Sequence, residues 1–105
     1  PMMAVGAQGV ISVASNVSPS GMTAIVEAAA RGDFAAARAA HTRLMPLMIV
    51  EFVESNPIPV KAAMAMMGLL EEVYRLPMVP PSDASRRKIA DVLSELEIMA
   101  APGSR

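Results

Sequence analysis

The stretch "GAQGVISVASNV", residues 6–17, decides how the fold is read. Its central run, Gly9 to Val13, is short, apolar and rich in β-branched residues. It lies between glycines and a polar turn, which is the pattern of a buried β-strand. Almost everything after it carries helical signals. A lone strand cannot satisfy its own backbone N–H and C=O groups, so this reading requires partner strands that the rest of the chain does not offer. Left open on both edges, such a strand is expected to pair with another copy, to be covered by neighbouring protein, or to rearrange.

Composition points the same way. The 105 residues suit one small domain with a core of its own. They are 53% hydrophobic and 18% charged, against roughly 25% charged in an average soluble domain, which suggests a surface partly covered by other protein. The net charge of −1 and the short Arg86-Arg87-Lys88 run, read as a solvated helix face, give no electrostatic footprint for nucleic acid or an acidic membrane. With no cysteine there is no disulfide and no thiolate zinc site, as suits a reducing cytoplasm. The apolar stretches Leu44 to Val50 and Ala62 to Leu70 fall short of the roughly 18 residues of a membrane span. The start, "PMMAVGAQG", lacks the basic opening and apolar centre of a signal peptide, and without a methionine at position 1 it reads as a truncated or processed chain.

Four helices announce themselves by their ends. Ser18 before Pro19 is an N-cap followed by proline at the first helical position, and Gly32 supplies a left-handed stop, predicting a helix over 19–31. Asp33 caps a second helix with Phe34, Ala37, Leu44, Met48 and Phe52 on one face, reaching about Glu54, with a bend or break at Pro46. "NPIPVK", residues 56–61, is a rigid helix start in which Asn56 caps and Pro57 and Pro59 take the first and third positions; the helix runs to Gly68. Its methionines, 64, 66 and 67, are read as adaptable core. After the connector "RLPMVPPSD", residues 75–83, Ser82 or Asp83 caps a last helix with Ile89, Val92, Leu93, Leu96 and Met99 on one stripe. Residues 101–105 are expected to fray.

No active site is complete from residue chemistry alone. His41 stands in a helix without a second histidine or a cysteine to activate, which favours a structural role. Ser12, Ser15, Ser18 and Ser20 read as turn and cap residues outside any nucleophile elbow. The carboxylates Glu51 and Glu54, and Glu71 and Glu72, have nothing beside them in sequence that would raise a pKa for acid–base work, and are expected to be solvated.

Taken in order, "GAQGVISVASNV" (6–17), "GDFAAARAAHTRLMPL" (32–47), "FVESNPIPVKAAM" (52–64) and "YRLPMVPPS" (74–82) resemble the C-terminal third of the dihydrodipicolinate synthase family. These are pyruvate-dependent Schiff-base aldolases, a group that includes N-acetylneuraminate lyase. The likeness extends over roughly residues 4–99, and "NPIPVK" tilts it toward the synthases.

The resemblance implies an α/β fold class. The chain would be the C-terminal piece of a (β/α)8 TIM barrel, with strand 8 and helix 8 in residues 1–32 and a helical C-terminal extension in residues 33–105, so that the chain itself is mostly α-helical. The missing partners of the strand would then be the first and seventh strands of an absent N-terminal barrel. The implied activity is a lyase reaction of lysine and diaminopimelate biosynthesis. Pyruvate, held as a Schiff base on a barrel-strand lysine, condenses with aspartate β-semialdehyde, without cofactor or metal, in a cytoplasmic homo-oligomer that is a tetramer in the family. Neither lysine of this chain, Lys61 or Lys88, matches the Schiff-base position, and Tyr74 does not match the catalytic tyrosine, so no catalytic residue is expected here. One substrate contact is implied: the backbone carbonyl of Ile11 lining the pyruvate pocket, with a place in the barrel core as the plainer role. The competing reading is an independent helical interaction module that binds a partner through its Met-rich face.

Overall fold

Capping chemistry places the helices where local signals predict them. The computed structural model describes residues 1–98, with α1 at Pro19–Ala30, α2 at Phe34–Val50, α3 at Ile58–Met66 and α4 at Asp83–Glu95, and 3-10 turns at Met3–Val5 and Ala14–Asn16. Asp33 accepts a hydrogen bond from the Ala36 N–H at 3.0 Å and so starts α2. Ser82 does the same for α4 through the Ser85 N–H at 3.2 Å. Gly32 and Gly68 follow α1 and α3 with φ of +78° and +74°, a conformation that glycine adopts without steric cost. Met99 and residues 101–105 lie outside the described residues.

Several boundaries differ from expectation. The helix expected to reach Glu54 ends at Val50, because the Phe52 and Val53 N–H groups bond three residues back, to Ile49 and Val50, and tighten the chain into a turn. Pro46 lies inside α2 without splitting it. The carbonyl deprived of a donor belongs to Thr42, which is exposed and can be served by water. In the third helix Pro57 replaces Asn56 as the cap, with φ −100° and ψ 22°, so Pro59 takes the second helical position instead of the third. The helix stops at Met66, before the expected Gly68.

The strand expected at Gly9–Val13 is not formed. Residues 7–12 carry no regular structure, and among the described residues there is no strand, so this chain is helical and not α/β in its own right. The reason is the one raised by the sequence: a strand exists only as part of a ladder, and nothing here supplies the facing backbone. The Ala7 N–H turns back to the Met2 carbonyl, while Val10 and Ile11 remain exposed.

The body packs as a slab whose shortest dimension, 21 Å, is about two helix diameters. α1 lies along α2, and α4 bridges α2 and α3. One core joins them: Ala14 and Val17 from the second 3-10 turn, Met22 from α1, Leu44, Leu47 and Val50 from α2, Val60, Ala62 and Ala63 from α3, and Ile89 and Leu93 from α4. Of the predicted face of α2, Ala37 and Leu44 are buried and Met48 packs against the core, whereas Phe34 and Phe52 are exposed; Leu47 and Val50 join the buried set. Met64, Met66 and Met67 pack against the core as adaptable filler, not as an open docking face. Gly21 leaves room at the start of α1: a Cβ there would meet the Ser18 hydroxyl at 2.6 Å and Leu44 carbons of α2 at 3.2 and 3.3 Å.

Candidate functional site

The arm that precedes Ala14 holds the one substrate contact implied by the sequence. It is tied down at its C-terminal end, where Asn16 donates to the Val13 carbonyl from both its backbone and its side chain, and the Ser15 hydroxyl bonds to the Ser12 carbonyl at 2.6 Å. Upstream of that anchor Ile11 is fully exposed, and no backbone donor among the described residues reaches its carbonyl. The residue is thus free on both its side-chain and backbone faces.

The remaining candidates do not converge on it. His41 sits on α2 beside a cavity of about 330 Å³ lined mainly by Ile25, Phe34, Ala37 and Arg38 with Met3 of the first turn. A hollow of about 670 Å³ runs between the start of α1, the face of α2 that carries Arg43, and the chain after α4; Arg43 and Glu97, both lining it and well exposed, are 4.0 Å apart. No cluster of three or more metal-ligating side chains occurs among the described residues.

A polar staple holds the connector after α3. The Lys61 ammonium donates to the Val73 carbonyl and sits 5.3 Å from the centre of the Tyr74 ring. The Tyr74 hydroxyl donates to Glu72 at 2.9 Å, and Arg86 grips the same carboxylate, with its Nη1 at 2.8 Å. Burial, aided by the Glu72 bond, pushes the Tyr74 phenol up to about 12, and the hydrogen bonds from Arg86 hold Glu72 below the usual carboxylate range. Glu54 accepts from the Ser82 N–H and hydroxyl, each at 3.0 Å, and the Ser85 and Ser82 contacts lower its pKa. The staple presents a protonated phenol, a committed ammonium and ionised, paired carboxylates. That set fastens elements together and leaves no free base or nucleophile.

The readings of three residues need correction here. Neither Arg86 nor Glu72 is simply solvated, since the two pair with each other and the Tyr74 hydroxyl donates to Glu72. Glu51 is not solvated: it is 1% exposed, neither carboxylate oxygen has a hydrogen-bond partner among the described residues, and burial pushes its pKa up to about 7. The missed signal was spacing, for Glu51 follows Leu44 and Leu47 by seven and four residues and shares their face.

Comparison with known proteins supplies the context that the arm lacks. The profile of the Dihydrodipicolinate synthetase family matches residues 1–96. A 4-hydroxy-tetrahydrodipicolinate synthase of Chlorobium limicola is 50% identical over 99 residues, which cover 94% of this chain and 33% of that protein. The structure of dihydrodipicolinate synthase from Aquifex aeolicus matches with a TM-score of 0.91 at 46% identity, over 93% of this chain and 33% of that one. The chloride-inhibited enzyme of Acinetobacter baumannii, solved with pyruvate, matches at 0.90 and 35% identity, over 93% and 34%. The chain therefore belongs to the dihydrodipicolinate synthetase family and spans about a third of the length of the curated relatives it matches.

Proposed function

We propose that this chain is the C-terminal segment of a dihydrodipicolinate synthase-type lyase, and that it serves the enzyme structurally. The enzyme would condense pyruvate with aspartate β-semialdehyde through a lysine Schiff base. The observation that carries this reading is the coverage: nearly all of the chain superposes on solved synthases at a TM-score of 0.91 while occupying 33% of them. In this reading residues 1–32 are the end of a β/α barrel, its eighth strand and helix, and residues 33–105 are the helical extension. The exposed, unladdered arm is what an eighth strand becomes when its neighbours are not there to pair with it.

The lysines support a division of labour. A Schiff-base lysine must offer a neutral, desolvated amine. Lys61 instead donates its protons to the Val73 carbonyl, and Lys88 is exposed on α4. Neither is suited to attack pyruvate, so the nucleophile belongs to the part of the enzyme that this chain does not contain. The contribution of this chain to the pocket is the Ile11 carbonyl, an acceptor left open for a substrate or a neighbouring strand. The complete enzyme is a cytoplasmic homo-oligomer, a tetramer by analogy with its family, acting without cofactor.

The test is trapping with pyruvate and borohydride followed by mass spectrometry. The chain alone is expected to gain no adduct. Joined to the remaining two-thirds of a synthase, the protein is expected to gain one adduct, on a lysine outside this chain. A stoichiometric adduct on Lys61 or Lys88 would overturn the assignment.

A further inference from the structure

Glu51 is a charged residue type placed where charge is hardest to keep. It caps the C-terminal end of α2, its N–H bonding back to the Leu47 carbonyl, and its side chain is among the largest fully buried ones of the body, with Leu47, Pro59, Ile89 and Leu93. Both carboxylate oxygens are buried without a hydrogen-bond partner among the described residues. The negative end of the helix dipole opposes an anion at this position, and no basic residue stands in the last turn of α2 to offset it.

The other charged groups of the body are turned elsewhere. On α2, Arg38 and Arg43 face solvent, and His41 is half-buried beside the cavity it shares with Phe34. On α3, Lys61 is bound to the Val73 carbonyl. On α4, Arg86 is paired with Glu72, while Asp83, Arg87, Lys88, Asp91 and Glu95 are exposed. Glu54, in the turn after α2, is bonded to Ser82. Burial alone acts on the Glu51 carboxyl, with no compensating charge.

We propose that Glu51 is a proton-linked switch in the helical body: neutral while the C-terminal end of α2 is packed, and loosening that end when it ionises. An ionised carboxylate without a partner is costly in an apolar interior, so losing the proton must either admit water or open the packing. The linkage has a definite sign. A carboxyl whose pKa is about 7 when folded and 4.5 when unfolded binds more protons in the folded state between those values. Stability therefore falls as pH rises through that window and levels off above it. From pH 5 to pH 8 the folding equilibrium constant is expected to drop roughly fifty- to a hundredfold through this one group.

The experiment is equilibrium unfolding of the whole chain from pH 5 to pH 8, alongside Glu51→Gln and Glu51→Leu. The two variants are expected to lose that drop and to exceed the parent in stability at pH 8, Glu51→Leu by more. A carbon-13 NMR titration of the Glu51 carboxyl in the unaltered chain is expected to show a midpoint near neutrality, and it decides the matter even if a variant does not fold. Parallel pH profiles for parent and variants, or a Glu51 midpoint in the ordinary carboxylate range, would overturn the proposal.

Discussion

The arm through Val13 and the helical body after it have similarly apolar sequences and opposite fates. In the body, Leu44, Leu47, Ile89 and Leu93 are buried against one another; in the arm, Met2, Val5, Val10 and Ile11 are exposed. The difference lies in where the backbone finds its partners. A helix satisfies its hydrogen bonds within itself and needs neighbours only for its apolar face. A strand needs a second backbone before it exists at all. A strand-patterned segment without a facing backbone therefore stays irregular, whereas helices form and need only pack on one another.

That contrast can be broken most forcefully in the core. Leu47→Ala and Leu93→Ala remove side chains with no solvent exposure and are expected to cost about 2–5 kcal/mol each in denaturant unfolding. Ile11→Ala, an equally apolar change in the arm, is expected to shift stability by less than ~0.5 kcal/mol. Equal losses at Leu47 and Ile11 would mean that the arm is part of the folded unit.

Gly21→Val sharpens the account of how α1 seats on α2. The added branches would press on Leu44, already within 3.3 Å of a single Cβ. We expect a loss of about 1–3 kcal/mol by thermal or chemical unfolding. Ser82→Ala removes the cap of α4 and is expected to cost about 1 kcal/mol, with the helical circular dichroism signal retained below the transition.

Within the folded body the smallest effect belongs to the staple. Arg86→Met should cost under ~1 kcal/mol, because the pair is partly solvated. Its pH signature is opposite to that of Glu51. The folded-state pKa of Glu72 is lowered, so its contribution is present above the unfolded value and lost as pH falls through the folded one. Unfolding measured on the acid side should show Arg86→Met approaching the parent as Glu72 is protonated in both.

The helices were legible because their signals are local. Asp33 and Ser82 each accept from an N–H three residues on, and Ser18 precedes α1 with Pro19 at its first position although its hydroxyl makes no capping bond, so the predicted starts hold to within a residue or two. The fate of Gly9 to Val13 was not legible from the segment alone, because a β-pattern becomes a strand only where a second backbone faces it, and none does among the described residues. Glu51 was missed for a different reason: it follows Leu44 and Leu47 at helical spacing and so shares their buried face, but a carboxylate was read as a solvated residue type. The staple of Lys61, Glu72, Tyr74 and Arg86 joins residues up to 25 positions apart through a connector without periodicity, so no spacing rule could have assembled it.

The most direct test of the central claim is amide hydrogen exchange at Val10, Ile11 and Ser12, measured on the chain alone and after it is joined to the remaining two-thirds of a synthase. The account predicts exchange near the unprotected rate in the chain alone, while amides of α2 and α4 are protected, and strong protection of all three once neighbouring strands close around them. Protection of these amides in the isolated chain comparable to that of Leu47 and Leu93, or no gain on joining, would contradict it.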